Sequence, residues 1–395
     1  MLNLLLENTS AKFLDNSALI FEGKNFTYAD LSGLTQRLAV SLQRRGINPG
    51  DRIAFLLPNC LEIVLCYYAC FKIGAIAVPL NVRFGSGLLK HVINHSGARV
   101  LISEPDLFAQ FEQIRSSLPG VELYFLTSGH SQFQGVKPFD ELLTPTSAPN
   151  TWPTLNADCA AAIYYTSGTT GLPKAVIHSH ASLERATQIQ IDQLAISSDD
   201  RTVIMFPVCY LIGFGSQILP FHTSGAACVL LPYFEPHLAL EAIQAYRPTK
   251  TYGFPQLYSD LVNCPEAGQY NVRSLNFCFS AGEAIPVAIQ ERFKQVFGVE
   301  ITEGCGMTEL QIYSLNPPFG QKKAGSIGKP VAGMEVSLVD DSGCPIAKTG
   351  EVGEMIVRGG IMTTGYWRDP ELTARNIRNG WFHTGDLPRL VRVHR

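Results

Sequence analysis

The chain has 395 residues, 46% hydrophobic and 16% charged, which is enough apolar material for a large core and rules out a disordered chain. Lysine and arginine number 31 against 34 aspartates and glutamates, a net charge of −3, so no basic excess exists to drive nucleic-acid binding by counterion release. The ten cysteines are scattered through apolar stretches with no CxxC pair; they read as small buried hydrophobes of a reducing compartment, not as a zinc ribbon or a thioredoxin-type site. The opening stretch MLNLLLENTSAKF has no basic leader, and the longest apolar run, Ile63 to Phe71, is shorter than the roughly 18 residues of a spanning helix. A cytoplasmic chain without a transmembrane segment is expected.

From Phe26 the pattern FTYADLSGLTQRLAVSLQRRG predicts an amphipathic helix, with Leu31, Leu34, Leu38 and Leu42 on one face and Gly46 as its stop. DRIAFLLPN follows as a short strand ended by Pro58 and Asn59, then EIVLCYYACFKIG as a helix and AIAVPLN as a buried strand. A helix over 86–96 and the strand RVLIS continue the alternation, which implies crossover units and a largely parallel sheet covered on both faces. Residues 127–156 are polar and rich in Pro, Ser and Thr, and read as a surface connection. The rhythm resumes at AAIYY (161–165). From Gly325 short alternating strands split by Gly, Pro and Asp predict a barrel-like antiparallel piece. The expected architecture is α/β: two lobes with largely parallel sheets, over 1–155 and 156–324, and a small distorted β-barrel subdomain over 325–395.

The segment TSGTTGLPK, directly after the strand AAIYY, gathers hydroxyl side chains, two glycines and a lysine: Thr166, Ser167, Gly168, Thr169, Thr170, Gly171 and Lys174. Such a loop offers backbone N–H groups, hydroxyl donors and a cation to a polyphosphate. It is not a Walker loop. Pro173 stands where that motif needs glycine, Ala175 where it needs Ser or Thr, and the chain runs on into the strand-like VIH in place of a helix.

The segment resembles the phosphate-binding signature of the adenylate-forming superfamily: acyl-CoA synthetases, luciferases and amino-acid adenylation domains. SAGEAIP (280–286) is similar to the family's adenine-side loop, and GCGMTE (304–309) to its next motif. The resemblance implies that Gly282, Glu283 and Ala284 border adenine together with Gly304, Cys305, Gly306 and Met307. It puts Thr308 at the α-phosphate and Glu309 at Mg²⁺, a hard cation suited to few protein carboxylates and several phosphate oxygens. Cys305 stands where the family usually has an aromatic residue stacked on adenine. GEVGEMIVRG, TGYWRDPELT and GWFHTGDL resemble the terminal subdomain, and Asp386 would accept hydrogen bonds from both ribose hydroxyls. Matching segments span residues 26–387.

The implied activity has two steps. A carboxylate attacks the α-phosphate of ATP, leaving an acyl-adenylate and pyrophosphate, and the acyl group then passes to the thiol of coenzyme A. Lys174, Thr308 and Glu309 are the catalytic candidates, and ATP/AMP, Mg²⁺ and coenzyme A the implied ligands. The family also carries a C-terminal lid beyond a hinge, whereas this chain ends nine residues after Asp386, so hinge and lid are expected to be absent and the full reaction is not inherited from the resemblance. A lid supplied in trans, or an acyl carrier protein, is the macromolecular partner this implies; a non-catalytic nucleotide- or acyl-adenylate-binding protein is the alternative function.

The acid pocket is expected along 206–217, 251–258 and 281–284, with Tyr210, Gly213, Phe214, Phe254 and Gly282 against the substrate. No carboxylate stands at Cys209-Tyr210-Leu211, where amino-acid adenylation domains hold the substrate ammonium; an unpaired buried ammonium is costly, so an apolar acid, fatty or other, is expected. His91 and His95, four residues apart, lack the glutamate and third ligand of a zinc site, His178 and His180 read as neutral histidines at a strand end, and no GxSxG frame occurs.

Overall fold

The computed structural model describes residues 1–128, 133–145, 151–166 and 171–389. Most of its short apolar strands are buried on both faces, and this is why they assemble into two large, mainly parallel sheets with helices outside and between them. The nine-stranded sheet runs, in spatial order, Lys329–Pro330, Gln311–Leu315, Ile301–Met307, Phe277–Ser280, Lys250–Gly253, Arg201–Ile204, Ala227–Leu230, Ser17–Phe21 and Lys24–Thr27. The eight-stranded sheet runs Gly365–Tyr366, Lys174–Ser179, Ala160–Thr166, Ile76–Pro79, Arg52–Leu56, Ala98–Ser103, Leu123–Leu126 and Lys137–Pro138.

Successive strand residues point to opposite faces, and here to different cores. Val203 and Met205 join the cluster under the outer helices Pro236–Tyr246, Pro255–Asn263 and Val287–Phe297, whereas Ile204 and Phe206 enter the core shared by both sheets. In the other sheet Ile53 and Phe55 enter that shared core, and Ala54 and Leu56 face the helices Ser86–Ser96 and Pro105–Glu112. The helix Leu61–Ile73 lies in the shared core and is buried from Ile63 through Ile73, which explains its continuous apolar sequence. Asn59, at its start, ties the two halves: its side-chain amide donates to the carbonyls of Phe206 and Leu231, and its oxygen accepts from the Val208 N–H.

The helices expected at 26–46, 62–74 and 86–96 form as Tyr28–Arg44, Leu61–Ile73 and Ser86–Ser96. Thr27 and Asp30 cap the first reciprocally, and Gly74 and Gly97 end the other two in the left-handed conformation.

The sheets do not divide at residue 155. The hairpin Ser17–Phe21/Lys24–Thr27 completes the edge of the nine-stranded sheet by parallel pairing with Ala227–Leu230, while Ala160–Thr166 sits inside the eight-stranded sheet beside Ile76–Pro79. Ala160–Thr166 is buried along most of its length, and an interior position meets that need. The terminal piece expected as a barrel forms a four-stranded antiparallel sheet, Met334–Val339, Glu354–Gly359, Trp381–His383 and Ile377–Arg378, and gives one short strand to each large sheet. The connection 127–156 is more structured than expected, with the strand Lys137–Pro138 and the helix Asp140–Leu143 in its described part.

Candidate active site

Ala160–Thr166 and Lys174–Ser179 pair antiparallel with Thr166 opposite Lys174, so the strands that flank the glycine-rich segment form a hairpin. Ser167, Gly168, Thr169 and Thr170 lie outside the described residues. Gly171 takes φ +86°, and Lys174 opens a strand where a Walker lysine would open a helix. Lys174 lines a groove of about 520 Å³ together with His91, His95, Tyr366, Asp369 and Arg375.

Thr308 and Glu309 sit at the tip of a second hairpin. The strand Ile301–Met307 starts parallel to Phe277–Ser280 and then pairs antiparallel with Gln311–Leu315, with a register slip between Cys305 and Gly306. Two glycines make this close approach possible: a Cβ on Gly304 would lie 2.7 Å from the Ser314 carbonyl oxygen, and one on Gly306 2.6 Å from that of Gln311. Bonds from outside the hairpin hold its tip. His178 Nε2 donates to the Thr308 carbonyl at 2.6 Å, the Thr363 N–H to the Glu309 carbonyl at 2.6 Å, and the Tyr366 hydroxyl to Glu309 Oε1 at 2.8 Å. Gln311, with φ +55°, donates from Nε2 to the carbonyls of Ser182 and Ile361. Burial pushes His178 down to about 4, so its ring is neutral at pH 7; with Nε2 donating, Nδ1 is left to accept from Ser182 Oγ at 3.2 Å.

Glu309 is buried, and among the described residues no group of three or more His, Cys, Asp or Glu gathers to hold a metal. One carboxylate completed by a ligand's phosphate oxygens is the donor set Mg²⁺ accepts, so Glu309 fits the assignment.

Gly282, at φ +90°, carries the chain past Phe254, whose ring would stand 2.9 Å from a Cβ there, and Glu283 and Ala284 are exposed beyond it. The Tyr313 hydroxyl donates to Cys305 Sγ at 2.9 Å. Burial raises the Cys305 thiol and the Tyr313 phenol, and the Asp386 carboxylate raises both further. Asp386 is itself exposed, its backbone anchored to Met355 and Thr384.

A mostly apolar cavity of about 220 Å³ joins the three expected segments: Tyr210, Phe254, Gly282, Met307 and Thr308 all line it. The Tyr210 hydroxyl accepts from the Asn81 amide at 3.0 Å. Gly213 and Phe214 do not line it. The chain over 211–223 is a helix interrupted by a π-bulge at Phe214–Ile218, and the bulge turns Phe214 into the shared core. There its ring stacks on Tyr67 at 3.8 Å, so Phe214→Ala is expected to cost about 3–5 kcal/mol in denaturant unfolding. Gly213 is held by backbone: a Cβ would lie 2.8 Å from the Val208 Cα.

Sequence reasoning missed Gln311 and Ile312, which line the cavity, and Tyr366 and Thr363, which fix Glu309. Ser216 lies within the expected stretch, but only the bulge decides that it faces the cavity. His180 is buried with its edge on Phe71, and His95 bonds Tyr165 through Nδ1 while stacking on His91.

A hairpin whose second strand opens with Lys174, and a threonine–glutamate turn whose Thr308 borders a mostly apolar cavity, are the parts expected of an adenylate-forming enzyme. The AMP-binding enzyme family matches residues 6–367, and the chain belongs to that family of adenylate-forming CoA ligases. It is 32% identical over 367 residues to a feruloyl-CoA synthase of an Amycolatopsis species, spanning 92% of this chain and 71% of that protein. It is 29% identical over 410 residues to a long-chain-fatty-acid–CoA ligase of Bacillus subtilis, spanning 97% and 73%. The anthranilate CoA ligase AuaEII, solved in complex with anthranoyl-AMP, superposes with a TM-score of 0.93 at 29% identity over 98% of this chain and 75% of that one. AMP-binding CoA ligases in general use ATP, Mg²⁺ and coenzyme A. Among the described residues no helix is long and apolar enough to cross a membrane.

Proposed function

We propose that the chain activates a compact apolar carboxylic acid with ATP, forming an acyl-adenylate and pyrophosphate for transfer to coenzyme A. The observation that carries this is the apolar cavity ending on Thr308, one residue from the buried Glu309. An acid in the cavity would present its carboxylate at Thr308. One carboxylate oxygen attacks the α-phosphorus in line, and the bond to the departing pyrophosphate breaks as the new one forms. The Thr308 hydroxyl donates to the α-phosphate, the Lys174 ammonium balances phosphate charge from its groove, and Asp386 receives the ribose hydroxyls. Glu309 would hold Mg²⁺, which supplies positive charge at the phosphates when bound.

Among the described residues no carboxylate lines the cavity, so a substrate ammonium would find no partner among them. At about 220 Å³ the cavity is below the roughly 300–1,000 Å³ usual for drug-sized ligands, which favours a single-ring or short acyl acid over a long chain. The relatives' names cover both an aryl and a long-chain fatty acid. In the second step the coenzyme A thiol attacks the acyl carbon and AMP leaves; a lid in trans or an acyl carrier protein are the proposed partners for it. The free cysteines, most of them buried, support a reducing, cytoplasmic setting. Cys305 provides no ring for adenine to stack on, which lowers the expected hold on ATP; nucleotide binding without turnover is the second reading.

The test is ATP–pyrophosphate exchange by the purified chain with aryl, short-chain, long-chain and amino acids. Exchange that depends on compact apolar acids is expected. Saturable ATP binding with no exchange for any acid would overturn the catalytic reading in favour of the binding one.

A further inference from the structure

The tip that carries Thr308 and Glu309 takes its bonds from elements far away in sequence, and one of them comes from the strand that begins at Lys174. His178 stands four residues after Lys174, on the same face of that strand by the strand's alternation. It is fully buried, and its ring is oriented from both sides: Nε2–H points to the Thr308 carbonyl, and Nδ1 faces Ser182 Oγ, whose one proton is shared between Nδ1 and the Ser179 carbonyl. Ser179 in turn caps the helix His180–Leu194 by accepting from the Ser182 N–H. The imidazole is therefore a rigid spacer between the strand of the phosphate hairpin and the threonine–glutamate turn.

We propose that His178 is a positioning residue for acid activation, its Nε2–H fixing the Thr308 carbonyl so that the Thr308 hydroxyl and the Glu309 carboxylate face the ATP phosphates in register with Lys174. This inference rests on the adenylation reading above. The physical argument concerns a single peptide group. The Thr308 carbonyl is the acceptor half of the Thr308–Glu309 peptide unit, and His178 is its described partner. Without that donor the peptide can rotate about its flanking bonds, and a displacement of about 1 Å at reacting groups can cost on the order of 10²-fold in rate. Thr363 and Tyr366 hold the Glu309 side of the unit but not the Thr308 carbonyl.

Two amides separate the two ring nitrogens. The glutamine amide nitrogen reaches about as far as imidazole Nε2, whereas the asparagine nitrogen stands near the position of Nδ1. His178→Gln keeps the bond to Thr308, and His178→Asn keeps only the side facing Ser182. In acid-dependent ATP–pyrophosphate exchange, His178→Asn and His178→Leu are expected to fall about 10–100-fold in kcat/KM for ATP, with the acid KM within about 3-fold of wild type. His178→Gln is expected to stay within about 5-fold of wild type. The ATP-induced rise in melting temperature should follow the same order, retained in the Gln variant and reduced in the Asn and Leu variants.

Equal activity of the Asn and Gln variants, or a loss that follows only their melting temperatures, would overturn the proposal. Wild type without exchange for any acid would instead mean that the adenylation reading fails. The ATP-induced melting shift then decides the positioning role alone: retained by Gln and reduced in Asn upholds it, and equal shifts overturn it.

Discussion

Replacing Glu309 by glutamine is expected to lower acid-dependent ATP–pyrophosphate exchange on the order of 10²–10³-fold while moving the melting temperature by no more than about 2 °C. The substitution keeps the shape and the hydrogen bonds of the turn. Tyr366, whose phenol is raised by burial and by Glu309 and so stays protonated, can donate to the glutamine oxygen as it does to Oε1. The Thr363 N–H bonds the residue-309 carbonyl whatever the side chain. Only the negative charge is lost, and that charge is what a divalent cation at the phosphates requires. Lys174→Ala makes the complementary test, because the Lys174 backbone keeps its pairing with Thr166 while the cation leaves the groove. Wild-type exchange in Glu309→Gln would mean that other groups carry the metal.

Between pH 7 and pH 5 the protein is expected to lose roughly 6 kcal/mol of stability, a large share of the 5–15 kcal/mol typical of folded domains. His178, His180 and His222 are buried, and burial pushes each down to about 4. The folded state therefore holds three neutral rings where the unfolded chain takes up protons below about 6.5. More protons bind to the unfolded state, so stability falls as the pH falls, starting near 6.5 and levelling near 4, with roughly 2 kcal/mol lost per ring at pH 5. Glu104 and Glu303, raised by burial, act in the opposite sense near the acid end of this window. Calorimetric melting at pH 7, 6 and 5 reads the loss directly. His222 donates from Nε2 to the Ala18 carbonyl at 3.0 Å and accepts from the Tyr68 hydroxyl at 2.8 Å, so His222→Gln should retain polar partners while removing about a third of the pH dependence. A melting temperature unchanged from pH 7 to pH 5 would show that these rings take up protons in the folded state.

What the sequence determined by itself was local. Leucines at helical spacing and a stop glycine set the helix Tyr28–Arg44, and continuous apolar runs marked the doubly buried strands. The chemistry-bearing turns were legible for a similar reason. Gly282, Gly304 and Gly306 stand where the backbone takes a left-handed angle or approaches another chain segment too closely for a Cβ, and such demands appear as residue types at set intervals. The opening helix Leu5–Phe13 and the hairpin after it were not read, because Leu5 and Leu6 gain their burial only from residues distant in sequence.

Tertiary structure decided which strands share a sheet, because pairing partners such as Phe21 and Leu230 lie far apart along the chain. It also decided which side chains meet the ligand. Phe214 and Ser216 are two residues apart in a stretch expected to touch the acid; the π-bulge sends one against Tyr67 and the other to the cavity. His178 read as an ordinary satisfied histidine, and its bond to Thr308 joins residues 130 positions apart. Local periodicity records that a side chain is buried. Which partner it is buried against depends on how separate elements dock, and that is fixed only when the cores close.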